Sequence, residues 1–141
     1  MNVLSARIFI LPCLAALALS GCATGAVQPG RGILGGAGSG SAAYISALQG
    51  GIAARSGLEL SASDTQRAVE AEYRALEAAP GGQPVAWEGR NATGRVVAAA
   101  PYQVGTQNCR QYRHTLEVSG RQATARGAAC RNPDGTWTPL T

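Results

Sequence analysis

Between Cys109 and Cys130, two runs of alternating polar and apolar residues, Arg110 to Val118 and Arg121 to Ala129, flank the pair Ser119-Gly120. Period-two alternation around a glycine-containing pair is the pattern of a β-hairpin, and Gly120 supplies the positive φ that such a turn needs. With Ser119 and Gly120 as the loop, Val118 faces Arg121, and every facing pair has residue numbers summing to 239. Cys109 and Cys130 give the same sum. Counted outward from the turn they fall on a non-hydrogen-bonded pair, whose Cα separation of ~4.5 Å lies at the short end of disulfide geometry. Register and bridge support each other, and together they commit this half of the chain to antiparallel sheet.

The same register puts Tyr112, His114, Leu116, Val118, Ala123, Ala125 and Ala129 on one face, and Gln111, Thr115, Glu117, Gln122 and Thr124 on the other. The first face is core and the second is wet. Arg113 then stands opposite Arg126, a like-charge pair that is destabilising across a sheet, and a bulge nearby is the expected relief. After the second cysteine, Asn132-Pro133-Asp134-Gly135 reads as a tight turn, because proline pre-sets φ and glycine tolerates the backbone reversal. Trp137 begins a closing strand.

The order Cys-Arg-x-Tyr, a glycine turn, then Gly-x-Ala-Cys-Arg-x-Pro-Asp-Gly-x-Trp resembles the surface antigen domain of bacterial outer-membrane lipoproteins related to the rickettsial seventeen-kilodalton antigen. Upstream, Trp87, Asn91, Gly94 and Val96 are similar to that family's spacing between its first two strands. The resemblance covers roughly Leu60 to Trp137. It implies a fold and an outer-membrane location, and no reaction.

At the other end, Met1 to Cys22 holds one basic residue, Arg7, then the apolar run Ile8 to Leu19 and the tetrad Leu19-Ser20-Gly21-Cys22. The apolar run is too short to span a bilayer, and the tetrad matches a lipobox, in which small residues admit the peptidase beside a lipid-modified cysteine. Residues 1-21 therefore read as a lipoprotein signal peptide, and by resemblance to bacterial lipoproteins the mature chain starts at an acylated, palmitate-bearing Cys22. An ordinary secretory signal with an incidental cysteine is the competing reading. Cys13 leaves with the signal and Cys22 carries lipid, so Cys109 and Cys130 remain as an even pair in an exported chain. An oxidising compartment makes them a disulfide.

Arg7 also leaves with the signal, so eleven arginines face eight acids, a net charge of +3, and there is no lysine. Seven of the arginines lie from Arg90 to Arg131. A basic β domain of this kind is suited to anionic envelope polymers, lipid headgroups or envelope proteins, while a merely solvated surface is the plainer reading. Outer-membrane lipid, through Cys22, is the expected partner; nucleic acid is not.

Residues 22-59 form a lipidated Gly-rich tether. Within it Gly32 to Ala54 carries no charge, and Gly32, Gly36 and Gly40 stand at glycine-zipper spacing, which lets another helix backbone approach closely. Its length permits membrane insertion, but its glycines, serines and Gln49 favour a spacer with short helical turns at Tyr44 to Leu48 and Ile52 to Ala54, broken by Gly50-Gly51. Residues 60-141 form the domain. A helix is expected over 61-79, capped by Ser61 or Ser63 with capping-box spacing to Asp64 or Gln66. Val69, Tyr73 and Leu76 make its apolar stripe, with Ala68 and Ala79 beside them, and Arg67, Glu70, Arg74 and Glu77 line its wet side. Pro84 to Glu88 and Gly94 to Ala100 read as strands, and Tyr102 is placed to cover a sheet edge. The fold class is α+β: one amphipathic helix packed on a small antiparallel sheet of about five strands, with one cross-strand disulfide.

No catalytic constellation emerges. His114, the only histidine, falls on the apolar face with no second ligand for a metal, which fits a hydrogen-bonded core residue. Ser119, His114 and Asp134 compose a triad only on paper, since the strand separates the first two. No catalytic residue, metal or cofactor is expected. The reading is a non-enzymatic outer-membrane lipoprotein whose basic domain serves envelope structure or interaction; the alternative is a periplasmic protein-binding or inhibitor-like module.

Overall fold

The computed structural model describes residues 36–141, with side chains described from residue 42 onward. The signal peptide and Cys22 lie outside the described residues, as does Gly32 of the glycine series.

The hairpin forms as two long strands, β4 (Gln107–Val118) and β5 (Arg121–Arg131). Their register runs unbroken from Cys109↔Cys130 to Val118↔Arg121, with every pair on the 239 sum. Ser119 and Gly120 both have positive φ, 50° and 76°, the combination a type I′ turn demands. The expected bulge beside Arg113 and Arg126 is absent, and the two face each other directly. Both side chains are exposed, so water weakens their repulsion enough for the ladder to continue.

Around this hairpin the sheet has six strands, not about five. The order is β1 (Pro84–Glu88), β2 (Ala92–Ala98), β4, β5, β6 (Trp137–Leu140). The additional strand, β3 (Tyr102–Val104), pairs with the start of β4, where it sets Tyr102 against Cys109 on the edge that β2 leaves bare. Gly105, at φ 59°, turns the chain between them. Both outer strands carry a proline, Pro84 and Pro139, which discourages further strand pairing.

Over one face lies α2 (Ala62–Glu77). Of the two possible caps the structure uses Ser61, whose Oγ accepts from the Asp64 N–H at 3.1 Å. Asp64 does not reach back to complete a capping box. Its Oδ1 instead accepts from the Arg90 N–H at 2.9 Å, so the start of α2 fastens the β1–β2 connection. Ala68, Val69, Ala75 and Leu76 pack with Trp87, Val96, Leu116 and Ala129 in one core. Leu76 and Leu116 are essentially fully buried, each contributing ~1.5–3 kcal/mol.

The core also reaches upstream of position 60, where the sequence pattern places the start of the domain. α1 (Gly36–Ala47) is a longer helix than the short turns expected there, and Gly50 and Gly51, both at positive φ, reverse the chain after it. Leu48, Ile52 and Ala53 are then fully buried, and Tyr44 stacks on Tyr73 of α2 at 5.6 Å. The cause lies on β5, whose core face between Arg121 and Arg131 carries only Ala123, Ala125, Gly127 and Ala129. Such small side chains leave room that α2 does not fill. Ile52 fills it, its Cγ2 standing 2.6 Å from where a Cβ on Gly127 would be. No helix among the described residues is long and apolar enough to cross a membrane.

Candidate functional site

Cys109 and Cys130 are joined, with Cα atoms 4.0 Å apart, and both are buried. They lie on the sheet face opposite α2, since Tyr112, His114 and Leu116 point into the core and Cys109 has the other parity. The bridge therefore staples the sheet from outside the helix–sheet core. A closed loop of 21 residues' separation is worth ~3 kcal/mol in the chain-entropy account.

Beneath the sheet a polar chain crosses the apolar core. The Trp87 Nε1–H donates to His114 Nε2 at 2.7 Å. An indole N–H can only donate, so Nε2 is the bare nitrogen, and the imidazole proton sits on Nδ1. Nδ1–H in turn donates to Glu72 Oε1 at 2.7 Å. The Glu72 carboxylate also accepts from the Ile52 and Ala53 N–H groups, each at 2.9 Å. Glu72 and His114 are wholly inaccessible to solvent. Three donors converge on two oxygens, which is what keeps a buried carboxylate from being costly.

The backbone makes room for this chain with glycine. A Cβ on Gly94 would collide with the Trp87 indole and the His114 ring, and one on Gly51 with the Glu72 carboxylate. Beside the network, the Tyr112 hydroxyl is buried without a hydrogen-bond partner. Burial first, and the neighbouring Glu72 charge second, push its ionisation well above the ordinary tyrosine value.

Two further arginines tie the helix to the sheet. Arg110 is 5 % exposed; its guanidinium donates to the Ala75, Leu76 and Ala99 carbonyls at 3.0, 2.8 and 2.8 Å. It thus closes the C-terminal end of α2, where the helix leaves carbonyls unpaired and the dipole favours a cation. Arg131 grips Glu77 with two bonds, at 3.0 and 2.9 Å, and the Trp137 indole adds a third at 2.8 Å. The Arg131 hydrogen bonds chiefly hold the Glu77 carboxyl below its ordinary range, against the opposing effect of burial. Glu77 is therefore not the idle wet-side residue its position in the stripe suggests.

His114 is the buried, hydrogen-bonded histidine that the alternation implied. Ser119, His114 and Asp134 are not brought together: Ser119 lies in the turn, His114 spends both ring nitrogens inside, and Asp134 accepts from Thr136. Among the described residues no cluster of three or more His, Cys, Asp or Glu side chains could hold a metal. The apolar stripe and the strand alternation assign no role to Glu72 or Arg110, although Glu72 stands four residues after Ala68 and four before Leu76, inside the stripe, and Arg110 shares the parity of Tyr112 and His114.

The fold and its internal ties define a disulfide-stapled α+β module in which the helix α2 is clamped to an antiparallel sheet at both ends. Residues 74–138 match the model of the 17 kDa outer membrane surface antigen family. The chain is similar to the "17 kDa surface antigen" of Rickettsia bellii, 40 % identical over 84 residues, 57 % of this chain and 53 % of the relative. The protein of the same name from Rickettsia conorii is 40 % identical over 77 residues, 52 % of this chain and 48 % of that one. For Rickettsia prowazekii the figures are 39 % over 67 residues, 45 % and 42 %. The chain thus spans about half the length of these relatives. No solved structure matches it.

Proposed function

We propose that the chain is an outer-membrane lipoprotein, acylated at Cys22, whose α+β domain works by contact with other envelope components and not by catalysis. The observation that carries this reading is the match of the disulfide hairpin region to outer membrane surface antigens. The sealed Cys109–Cys130 bridge supports an oxidising compartment, and the lipobox Leu19-Ser20-Gly21-Cys22 supports anchoring by acyl chains. His114, the residue best suited to proton transfer near neutral pH, is committed at both nitrogens to holding Glu72 and Trp87 in place. Anionic envelope polymers and envelope proteins are the partners that fit the arginine-rich sheet.

The anchor is tested by Cys22→Ser. The variant is expected to accumulate as an unprocessed precursor, with no acylated N-terminal peptide by mass spectrometry. Recovery of a normally processed, acylated chain from that variant would sink the assignment.

A further inference from the structure

The sheet face away from α2 is graded along its strands. At one end Tyr102 sits beside the Cys109–Cys130 bridge, with Leu140 in register with Ala128 one row further on. Tyr102, Val104 and Leu140 are the large apolar side chains left exposed among the described residues, at 39 %, 51 % and 45 %. Next comes a band of three exposed arginines, Arg95, Arg113 and Arg126. Glu88 and Glu117 lie at the opposite end, in the row of Thr93 and Gln122.

The arginine band is held where repulsion is greatest. Arg113 and Arg126 lie four residues along from the cysteines, hence on another non-hydrogen-bonded pair, the kind in which facing side chains come closest. Facing like charges destabilise a sheet. No carboxylate relieves them: the ion pairs among the described residues are His114–Glu72 and Arg131–Glu77. Between the apolar end and the band lies a shallow depression of about 630 Å³, bordered by Val97, Gln111, Arg113, Arg126 and Ala128. Guanidinium forks match phosphate oxygens in pairs, and a row of them beside exposed aromatic and aliphatic side chains reproduces the order of a lipid interface, acyl region to phosphate to water.

From this grading we infer that the open face of the sheet docks on an anionic lipid surface. Arg95, Arg113 and Arg126 meet phosphate headgroups there, Tyr102, Val104 and Leu140 enter the acyl boundary, and Glu88 and Glu117 stay in water. The inference rests on the envelope reading above, yet it fails separately. An unacylated Cys22 shows in the processing test, whereas a failed face shows as indifference to headgroup charge.

The test places the full acylated chain in bicelles of phosphatidylcholine, with and without phosphatidylglycerol, containing a nitroxide-labelled lipid, and reads amide signals by NMR. Broadening at Tyr102, Val104 and Leu140 is expected in the anionic mixture, with much less in the neutral one, and none at Glu88 or Glu117. Arg113→Gln with Arg126→Gln should weaken the headgroup attraction ~30-fold and abolish that difference, while Arg121→Gln at the hairpin tip keeps it. The double variant should melt no lower than the parent, because it removes a repulsion. Equal broadening in both mixtures overturns the proposal. So does loss of the contrast in Arg121→Gln, capture of an envelope protein by this face without lipid broadening, or a lower melting temperature in the double variant, which would make the pair a folding contact.

Discussion

Glu72 is the residue on which three parts of the molecule depend. Its two oxygens satisfy the Ile52 and Ala53 backbone and the His114 ring. Replacement by alanine strands three buried donors, and each unsatisfied group costs ~1–3 kcal/mol. Glu72→Ala is therefore expected to lower stability by at least about 3 kcal/mol in urea denaturation, and to release Ile52 and Ala53 into fast amide exchange. Wild-type protection at those two amides in the variant would show that the carboxylate is incidental. Tyr112→Phe provides the contrast. Its hydroxyl is buried without a partner, so its removal should be neutral or stabilising by up to about 1 kcal/mol; a clear loss of stability would mean that the hydroxyl is bonded after all.

At the level of elements, α2 is fixed to the sheet by its ends as much as by its apolar stripe. Asp64 holds the β1–β2 connection at the start, and at the end Arg110 caps the carbonyls while Glu77 takes Arg131 and Trp137. The Glu77 clamp makes a prediction about acid. Its carboxyl has a lower pKa folded than unfolded, first because of Arg131. The unfolded chain therefore takes up the proton first as pH falls. The stabilisation is complete above the ordinary carboxyl value and is lost as pH drops through the folded one. Glu77 and Arg131 are 31 % and 40 % exposed, so solvent screening holds the effect to about 1 kcal/mol or less. Melting temperatures of wild type and Glu77→Gln should differ at neutral pH and converge on acidification below ~4. A gap that stays constant into acid would remove Glu77 as the titrating group.

For the molecule as a whole, the bridge between Cys109 and Cys130 joins register, compartment and fold. Either Cys→Ser substitution removes one and the same constraint, so each should cost about 2–5 kcal/mol. The double variant should be little worse than either single, because the bridge is one interaction with two ends. The oxidised protein should show no reactive thiol at either position. A reactive thiol at Cys109 or Cys130 in oxidised native protein, or costs that add in the double variant, would separate the two cysteines. Both are buried on the face away from α2, so the singles should weaken the β3–β4–β5 end of the sheet before the helix loosens. Hydrogen exchange can follow that order directly.

The hairpin was decided by the sequence alone, because strand alternation and turn chemistry are local. Ser119-Gly120 fixes the turn, the turn fixes the register, and the register brings Cys109 to Cys130 across the ladder. The helix over 62–77 and the Asn132–Gly135 turn are likewise written in short-range patterns. What needed the folded molecule was everything set by contacts far apart in the chain. Nothing near Glu72 announces that His114, forty-two residues away, will meet it, or that Ile52 will lend its backbone. Arg110 caps a helix that ends more than thirty residues earlier, and the small residues of β5 draw Leu48 and Ile52 into a core whose helical and strand patterns start only at position 60. Charged residues on a buried face look like interruptions of the pattern until the donors and acceptors that satisfy them are in place, and only tertiary packing supplies those.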